Sequence, residues 1–237
     1  MSEQKQLFLL PMPIAETELN YFVPNNVIKL YSEMNAFVVE NAKTARQFLK
    51  SVDKSIDFNV IEIFELDKFE PKKQKQDLTE FLLKYSKIGL LSEAGMPCIA
   101  DPGNLAVQCA HQLGIKVKPT VGPSSILLAL IASGFNGQNF AFNGYLPIKT
   151  EDRTKSIKNI INLAQSGTQL FIEAPYRNQK TLEFLLQALP KNYQLLIAFD
   201  LTGINETIVV KTIQKWIETP INLEKHPCIF GISGEVF

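Results

Sequence analysis

The sequence predicts an α/β protein of two domains, the N-terminal one built on a mostly parallel sheet and the C-terminal one on a mixed sheet. Three observations carry this reading. Short β-branched and aromatic runs alternate with stretches of helical period through the first half. A turn signal, Gly122-Pro123, opens a second series of the same kind near Val121. Within that second series no helical period separates Phe199 from Val210, the pattern of a hairpin rather than of a crossover. The domains are therefore placed at residues 1–120 and 121–237.

The elements follow in order. Leu7–Leu10 is an apolar run stopped by Pro11 and Pro13. Ala36–Val39 and Ile61–Leu66 are β-branched and aromatic, and Ile88–Leu91 ends at Ser92. Between them Leu78, Phe81, Leu82 and Tyr85 recur at i, i+3, i+4 and i+7, which puts four apolar side chains on one helical face. After Pro102-Gly103, Leu105, Cys109 and Leu113 form a similar stripe, closed by Gly114. Strands alternating with helices imply βαβ units, hence parallel pairing. In the second domain Ser124 or Ser125 precedes an apolar helix from Ile126 to Ser133. A strand is expected at Phe140–Tyr145, then a helix with Ile157, Ile160, Ile161 and Ala164 inward. A strand at Gln169–Glu173 leads to a helix with Leu182, Leu185, Leu186 and Leu189 on one face. The runs Leu195–Phe199, Thr207–Val210 and Cys228–Ile232 complete the second sheet.

Composition excludes several classes of function. The chain has 237 residues, 24 Lys+Arg against 24 Asp+Glu, so its formal charge is zero and it is no generic polycation for nucleic acid. At this length roughly 70–75% of the unfolded surface is buried on folding, so no metal or disulfide staple is required. Three cysteines, Cys98, Cys109 and Cys228, are widely spaced without a C-x-x-C pair, and the two histidines, His111 and His226, suit neither a His-rich metal site nor a Ser-His-Asp triad. No metal is expected. The opening MSEQKQLFLLPMP lacks the pattern of a signal peptide, and the longest apolar stretch, Ile126–Ala132, is far below the roughly 20 residues that span a bilayer. The expectation is a cytoplasmic protein with no membrane contact.

In a parallel α/β sheet, ligands bind beyond the carboxyl ends of the strands. That rule selects three loops: Pro11-Met12-Pro13, Ser92–Gly103 and Gly122-Pro123-Ser124-Ser125. The second carries two glycines, two prolines and two acids in twelve positions, longer than an ordinary strand-to-helix connection; its backbone is expected to be exposed at Gly95, with amide and carbonyl groups free for a ligand. Neither G-x-x-x-x-G-K-[ST] nor G-x-G-x-x-G is present. Glu93 and Asp101 read either as paired carboxylates or as turn and cap residues.

At these loops the wording becomes specific. The stretches LLPMPI, LLSEAGMPCIADPG, VGPSSILLALIASGF, FAFNGYLP, FIEAPYRNQKTLEFL and DLTGINETI run in order from Leu9 to Ile208. Together they resemble the tetrapyrrole-methylase-like superfamily of S-adenosylmethionine (SAM) methyltransferases, and within it the ribosomal RNA small-subunit methyltransferase I family, which methylates a ribose 2′-hydroxyl. The resemblance implies SAM as cofactor in a cleft between the two domains, and a homodimer. It implies that Ala94, Gly95, Met96 and Ile99 line the methionine and ribose end, with Pro11 behind and Ser124 and Ser125 opposite, while Glu173, Leu201, Thr202 and Cys228 flank the adenosine. Each position also has an ordinary reading: a helix cap for Ser124 and Ser125, core for Ile99, Leu201 and Cys228, a strand-end acid for Glu173.

The sequence departs from that family on the acceptor side. Its usual E-D-T-R reads Glu40-Asn41-Ala42-Lys43, its E-L-T-K reads Asp200-Leu201-Thr202-Gly203, and the Gly-Asn after P-x-P-I becomes Ala15-Glu16. The region from Asn20 to Glu33 lacks the family wording altogether. Methyl transfer requires alignment of acceptor, methyl and sulfur, and a ribose hydroxyl profits from a base or a nearby cation. Glu40, Lys43, Glu93 and Glu206 are the candidate catalytic residues. Lys43, Arg46, Lys149, Arg153, Lys155, Lys158 and Arg177 could form a local track for RNA phosphates. Three functions follow: 2′-O-methylation of small-subunit ribosomal RNA, methylation of a small molecule such as a tetrapyrrole, or SAM binding without turnover.

Overall fold

A computed structural model describes residues 4–67, 69–223 and 226–234. The chain divides into two compact units, one ending at Ser124 and one beginning at Ser125. Among the described residues no helix is long and apolar enough to cross a membrane.

The first unit holds β1 (Gln6–Leu9), α1 (Asn25–Ser32), β2 (Ala36–Val39), α2 (Ala42–Val52), β3 (Glu62–Glu65), α3 (Lys75–Lys84), β4 (Lys87–Leu91), α4 (Asn104–Gln112) and β5 (Lys116–Pro119), with a short 3₁₀ turn at Leu19–Tyr21. Its sheet runs β3-β2-β4-β1-β5 and every pairing is parallel. Alternation along the strands divides the core. Phe8, Leu10, Phe37, Val39 and Leu91 face one layer with Val27, Tyr31, Phe48 and Leu49 of α1 and α2. Leu7, Ala36, Val38, Ile88 and Leu90 face the other with Leu78, Leu82, Leu105 and Cys109 of α3 and α4. The side of each helix follows from handedness. Travel from β1 to β2 to β3 goes one way across the sheet and from β3 to β4 to β5 the other, and right-handed crossovers then place α1 and α2 on one face and α3 and α4 on the opposite face. The winding reverses at neighbouring β1 and β4, where parallel sheets open a crevice for ligands.

Gly89 in the middle of β4 is a packing requirement, since a Cβ there would lie 2.6 Å from the Phe37 ring. The edges are less apolar. The β3 sequence EIFE exposes both glutamates and leaves Ile63 and Phe64 only half-buried, and β5, KVKP, was not anticipated from sequence. Two lysines and a proline are what an edge strand tolerates and what a search for apolar runs passes over.

The second unit holds α5 (Ser125–Ser133), β6 (Phe140–Tyr145), α6 (Thr150–Leu163), β7 (Thr168–Glu173), α7 (Asn178–Ala188), β8 (Gln194–Phe199), β9 (Thr207–Thr212), α8 (Ile213–Glu218) and β10 (Cys228–Ser233). The order is β6-β7-β10-β8-β9. Only β6 and β7 pair in parallel; β10 is antiparallel to β7 and β8, and β8 and β9 form the expected hairpin. The mixed sheet is thus as read from the sequence. Its core gathers Ile157, Ile160, Phe171, Leu182, Leu185, Ile197 and Phe230 around Trp216, whose indole N–H donates to the Leu195 carbonyl at 2.8 Å.

Candidate active site

The three loops chosen from sequence meet in the first unit. Met12 and Gly95 exchange both backbone hydrogen bonds, N–H to carbonyl at 2.9 and 3.0 Å. The Met96 N–H donates to the Pro123 carbonyl at 3.0 Å. Gly122 closes the third side: a Cβ there would come 2.2 Å from Pro11 Cβ and 2.6 Å from Met96 Sδ. The knot sits beyond the carboxyl ends of β4, β1 and β5, three adjacent strands. From below, the buried Tyr31 hydroxyl donates to the Pro11 carbonyl, and Ser92 Oγ donates toward the carbonyls of Ala94 and Gly95 at 3.1 and 3.4 Å. Burial pushes the Tyr31 phenol up, so it stays a donor. Tyr31 lies in the segment without family wording, and nothing in the sequence marked it.

This geometry corrects one expectation. Gly95 is buried, and its amide and carbonyl are both consumed by Met12, so it offers no free backbone to a ligand. With φ at +69° and Pro123 O only 3.2 Å from where a Cβ would stand, it is a turn that no larger residue fits. What the loop presents outward is Glu93, Ala94, Ile99 and Ala100, with Ile99 45% exposed.

The rest of the loop is strained. Cys98 and Ala100 adopt left-handed φ values of +74° and +64°, a conformation that costs a non-glycine residue energy and recurs at functional sites. Asp101 holds them: its Oδ1 accepts the Gly103 N–H at 2.7 Å, while its Oδ2 is buried with no hydrogen-bond partner. Burial pushes the Asp101 carboxyl above its ordinary range, against the amides of Gly103, Cys98 and Ile99, which favour the charged form. Burial, aided by the charge of Asp101, also pushes the Cys98 thiol up to about 12.

Two of the candidate acids converge at the ends of neighbouring strands. The Glu93 N–H, after β4, donates to Glu40 Oε2, after β2, at 3.0 Å; Thr44 Oγ1 lies 3.5 Å from Glu93 Oε1. Asn41 caps α2 by accepting the Thr44 N–H, which fixes this end of the helix beside the pair. Lys43 is exposed in the first turn of α2.

In the second unit the assigned residues surround the ends of β7, β8 and β10. Glu173, 2% exposed, is fully engaged by Arg177 Nη2 at 2.5 Å, Thr181 Oγ1 at 3.2 Å and the Ala174 N–H at 2.9 Å. Leu201 and Cys228 are buried as well, and burial with the charge of Asp200 pushes the Cys228 thiol up to about 12. Asp200 and Thr202 are left-handed at +50° and +70°; Glu206 Oε2 accepts the Thr202 N–H at 2.8 Å, and His226 Nδ1 stands 2.9 Å from Asp200 Oδ2. Thr202 Oγ1 and Asn178 Oδ1 are buried without partners. Asn178, which donates to the His226 carbonyl, was missed from sequence because an Asn after a turn reads as an ordinary cap. Arg177 must be withdrawn from the basic track: its guanidinium is buried on Glu173 and cannot serve a phosphate. Arg153 Nε likewise donates to the Pro147 carbonyl, leaving Lys155 and Lys158 exposed on α6. Among the described residues no cluster of three or more His, Cys, Asp or Glu could hold a metal ion.

Comparison with known proteins places the chain in a family. The family described as Tetrapyrrole (Corrin/Porphyrin) Methylases matches residues 28–216. A protein of Vibrio cholerae named ribosomal RNA small subunit methyltransferase I is 29% identical over 233 residues, 96% of this chain and 77% of that one. The protein of the same name from Escherichia coli O157:H7 is 26% identical across 98% of this chain and 79% of its own length. Among solved structures, uroporphyrin-III C-methyl transferase from Thermus thermophilus complexed with S-adenosyl homocysteine has a TM-score of 0.61 at 14% identity, over 97% of each chain. A conserved hypothetical protein from Aeropyrum pernix K1 reaches 0.68 at 12% identity, over 99% of this chain and 86% of that one. The structures establish the fold, and the family match covers most of the chain. The chain belongs to the tetrapyrrole methylases and is a SAM-dependent methyltransferase.

Proposed function

We infer that this chain transfers a methyl group from SAM to a ribose 2′-hydroxyl of small-subunit ribosomal RNA. The observation that carries this is similarity, along nearly the whole of this chain, to relatives named for that RNA, together with the loop knot at the winding reversal. The assigned cofactor positions suit an adenosyl ligand in their chemistry: Ile99 and Ala94 offer exposed apolar contact, and the orphaned Thr202 Oγ1 needs a polar partner. Pro11, Gly95 and Met96 would shape the cofactor's seat, Ser124 and Ser125 would offer hydroxyls to it, and Glu173, Leu201 and Cys228 would contribute backbone and form, their side chains being engaged or buried.

Bound SAM supplies a methyl group already activated by its sulfonium charge. What remains for the chain is alignment, exclusion of water and care of the hydroxyl proton. The carboxylates of Glu40, fixed by the Glu93 backbone amide, and of Glu93, facing the Thr44 hydroxyl, are the proposed acceptors of that proton, with Lys43 stabilising developing negative charge on the acceptor oxygen. Glu206 is a positioning residue, since its carboxylate is spent on the Thr202 amide.

We also place the chain in the cytoplasm as a homodimer. Leu127 and Ile131, one turn apart on α5 and 50% and 75% exposed, offer an apolar surface that a second copy would cover. Sedimentation equilibrium of wild type and Ile131→Glu tests this, a monomeric wild type overturning it. Radiolabelled SAM incubated with total RNA and with small-molecule fractions from a strain lacking the gene tests the acceptor. Label in small-subunit RNA at a ribose supports the reading, label only in tetrapyrroles overturns it, and tight SAM binding with no label anywhere identifies a binding module.

A further inference from the structure

A cavity of about 420 Å³ opens in the first unit beside α1 and α2, within the range of small-ligand sites. Its apolar walls are Leu19, Ile28, Phe48 and Val52. Its polar edge includes Glu18, Asn20 and Ser51. Pro13 also lines it, and Pro13 follows Met12, the residue bridged to Gly95 in the loop knot; the cavity thus begins one residue from the site. Of its lining, Asn20 and Ile28 lie in the region from Asn20 to Glu33 that lacks the family wording, and Leu19 and Asn20 belong to the 3₁₀ turn at Leu19–Tyr21.

The chemistry of the lining restricts the occupant. Glu18 is its one ionisable side chain, it is exposed, and among the described residues it is in no ion pair. No lysine or arginine lines the cavity. A phosphate or the carboxylate-rich rim of a tetrapyrrole would meet only repulsion there. A flat, uncharged heteroaromatic ring with an amino group on its edge meets apolar walls for its faces and a carboxylate and an amide for its edge, the groups by which proteins read unstacked bases. Ser51 contributes shape: its hydroxyl is already spent on the Phe48 carbonyl at 2.6 Å, and its smallness keeps the groove open on a face shared with Phe48 and Val52.

We propose that this cavity holds an unstacked nucleobase of the acceptor RNA, one carrying an exocyclic amino group that donates to Glu18, and so fixes which ribose reaches the loop knot. The proposal rests on the RNA reading above. Proteins that read RNA sequence do so on bases splayed out of the stack, held against apolar faces and hydrogen-bonded on their edges.

The test uses the full chain with SAM and small-subunit RNA. Ser51→Trp fills the groove from an exposed position; Glu18→Gln keeps size and removes the charge. Both are expected to raise KM for RNA by about tenfold, the size of one lost base contact, with unchanged calorimetric affinity for SAM and little change in kcat. If the wild type methylates RNA and both variants do so with wild-type KM, the base pocket is overturned and the RNA reading stands. If the wild type methylates tetrapyrrole and no RNA, both fall. Should Ser51→Trp fail to fold, Glu18→Gln alone decides, because Glu18 is exposed and outside the core.

Discussion

Two loops of this molecule solve the same problem by different means. The loop from Ser92 to Gly103 follows a parallel strand, and the loop from Asp200 to Glu206 joins the two antiparallel strands of a hairpin. Each holds two non-glycine residues in the left-handed region, Cys98 and Ala100 in the first, Asp200 and Thr202 in the second, and these four are all such residues among those described. In the first, backbone from two other loops holds the entry, where Met12 bridges Gly95 and Pro123 accepts from Met96, and a side chain, Asp101, ties only the exit, to the Gly103 amide. In the second, side chains do it, with Glu206 on the Thr202 amide and His226 beside Asp200. A clamp of backbone groups breaks when space is taken away. A clamp of ionisable side chains breaks when a functional group is removed.

The largest effect should come from taking space. Gly122→Val puts branched carbon where Pro11 Cβ stands 2.2 Å and Met96 Sδ 2.6 Å from a first methyl position, so the knot must open. Overpacking of this kind costs about 1–3 kcal/mol of stability; SAM affinity by calorimetry should fall, and methyl transfer should slow by about a hundredfold, since misplacement near 1 Å already carries that penalty in rate. Retained affinity would show that the knot is not the cofactor's seat. The corresponding change in the second loop, Glu206→Ala, removes one acceptor from an exposed turn. A rise in KM for SAM of about tenfold with kcat little changed is expected, and Glu206→Gln should restore most of it because an amide oxygen still accepts from Thr202. A loss in kcat alone, unrescued by Gln, would instead make Glu206 a catalytic group.

The contrast also accounts for what the sequence disclosed. Buried central strands announce themselves: AFVV in β2 is covered on both faces and was read to the residue. Likewise the loop rule for parallel sheets picks out all three segments of the knot from the sequence alone. What it could not supply was the partner of each backbone group, because Met12 and Gly95 carry no side-chain signal for their mutual bridge. The lysine-flanked β5 escaped because an edge strand needs little apolar content. In the second unit, positions carried over by resemblance lacked their packing: Glu173 read as a strand-end acid and proved to be locked on Arg177, which in turn had been counted among surface cations. Long-range pairing of buried charge leaves no periodic trace in a sequence.

A smaller effect separates the loops by pH. The Asp101 carboxyl is pushed up by burial, so the folded chain binds its proton more tightly than the unfolded chain does. Stability then falls as pH rises from about 4, the unfolded value, through the folded value. Asp101→Asn keeps an oxygen for the Gly103 amide and removes the titration. Its melting temperature relative to wild type should therefore improve as pH rises from about 4 through the folded carboxyl's raised value and level off above it. A difference that stays flat over that range would mean that Asp101 titrates alike in both states.

The smallest expected effect is an absence of reaction, and it joins the loops again. Cys98 lies in the first loop and Cys228 pairs with Phe199 beside the second, and burial pushes both thiols up to about 12, with Asp101 and Asp200 adding to the shift. Thiolate is the reactive form, so at pH 8 the native protein should take up iodoacetamide at neither position, while all three cysteines react in guanidinium. The informative variant is Gly122→Val. If the first loop depends on the backbone clamp and the second on its own side chains, opening the knot exposes Cys98 to alkylation and leaves Cys228 protected. Peptide mass mapping reads both sites in one sample. Equal protection in the variant would mean that Cys98 is held by the strained turn at Asp101 alone, and equal reactivity would mean that the two loops are not independent clamps.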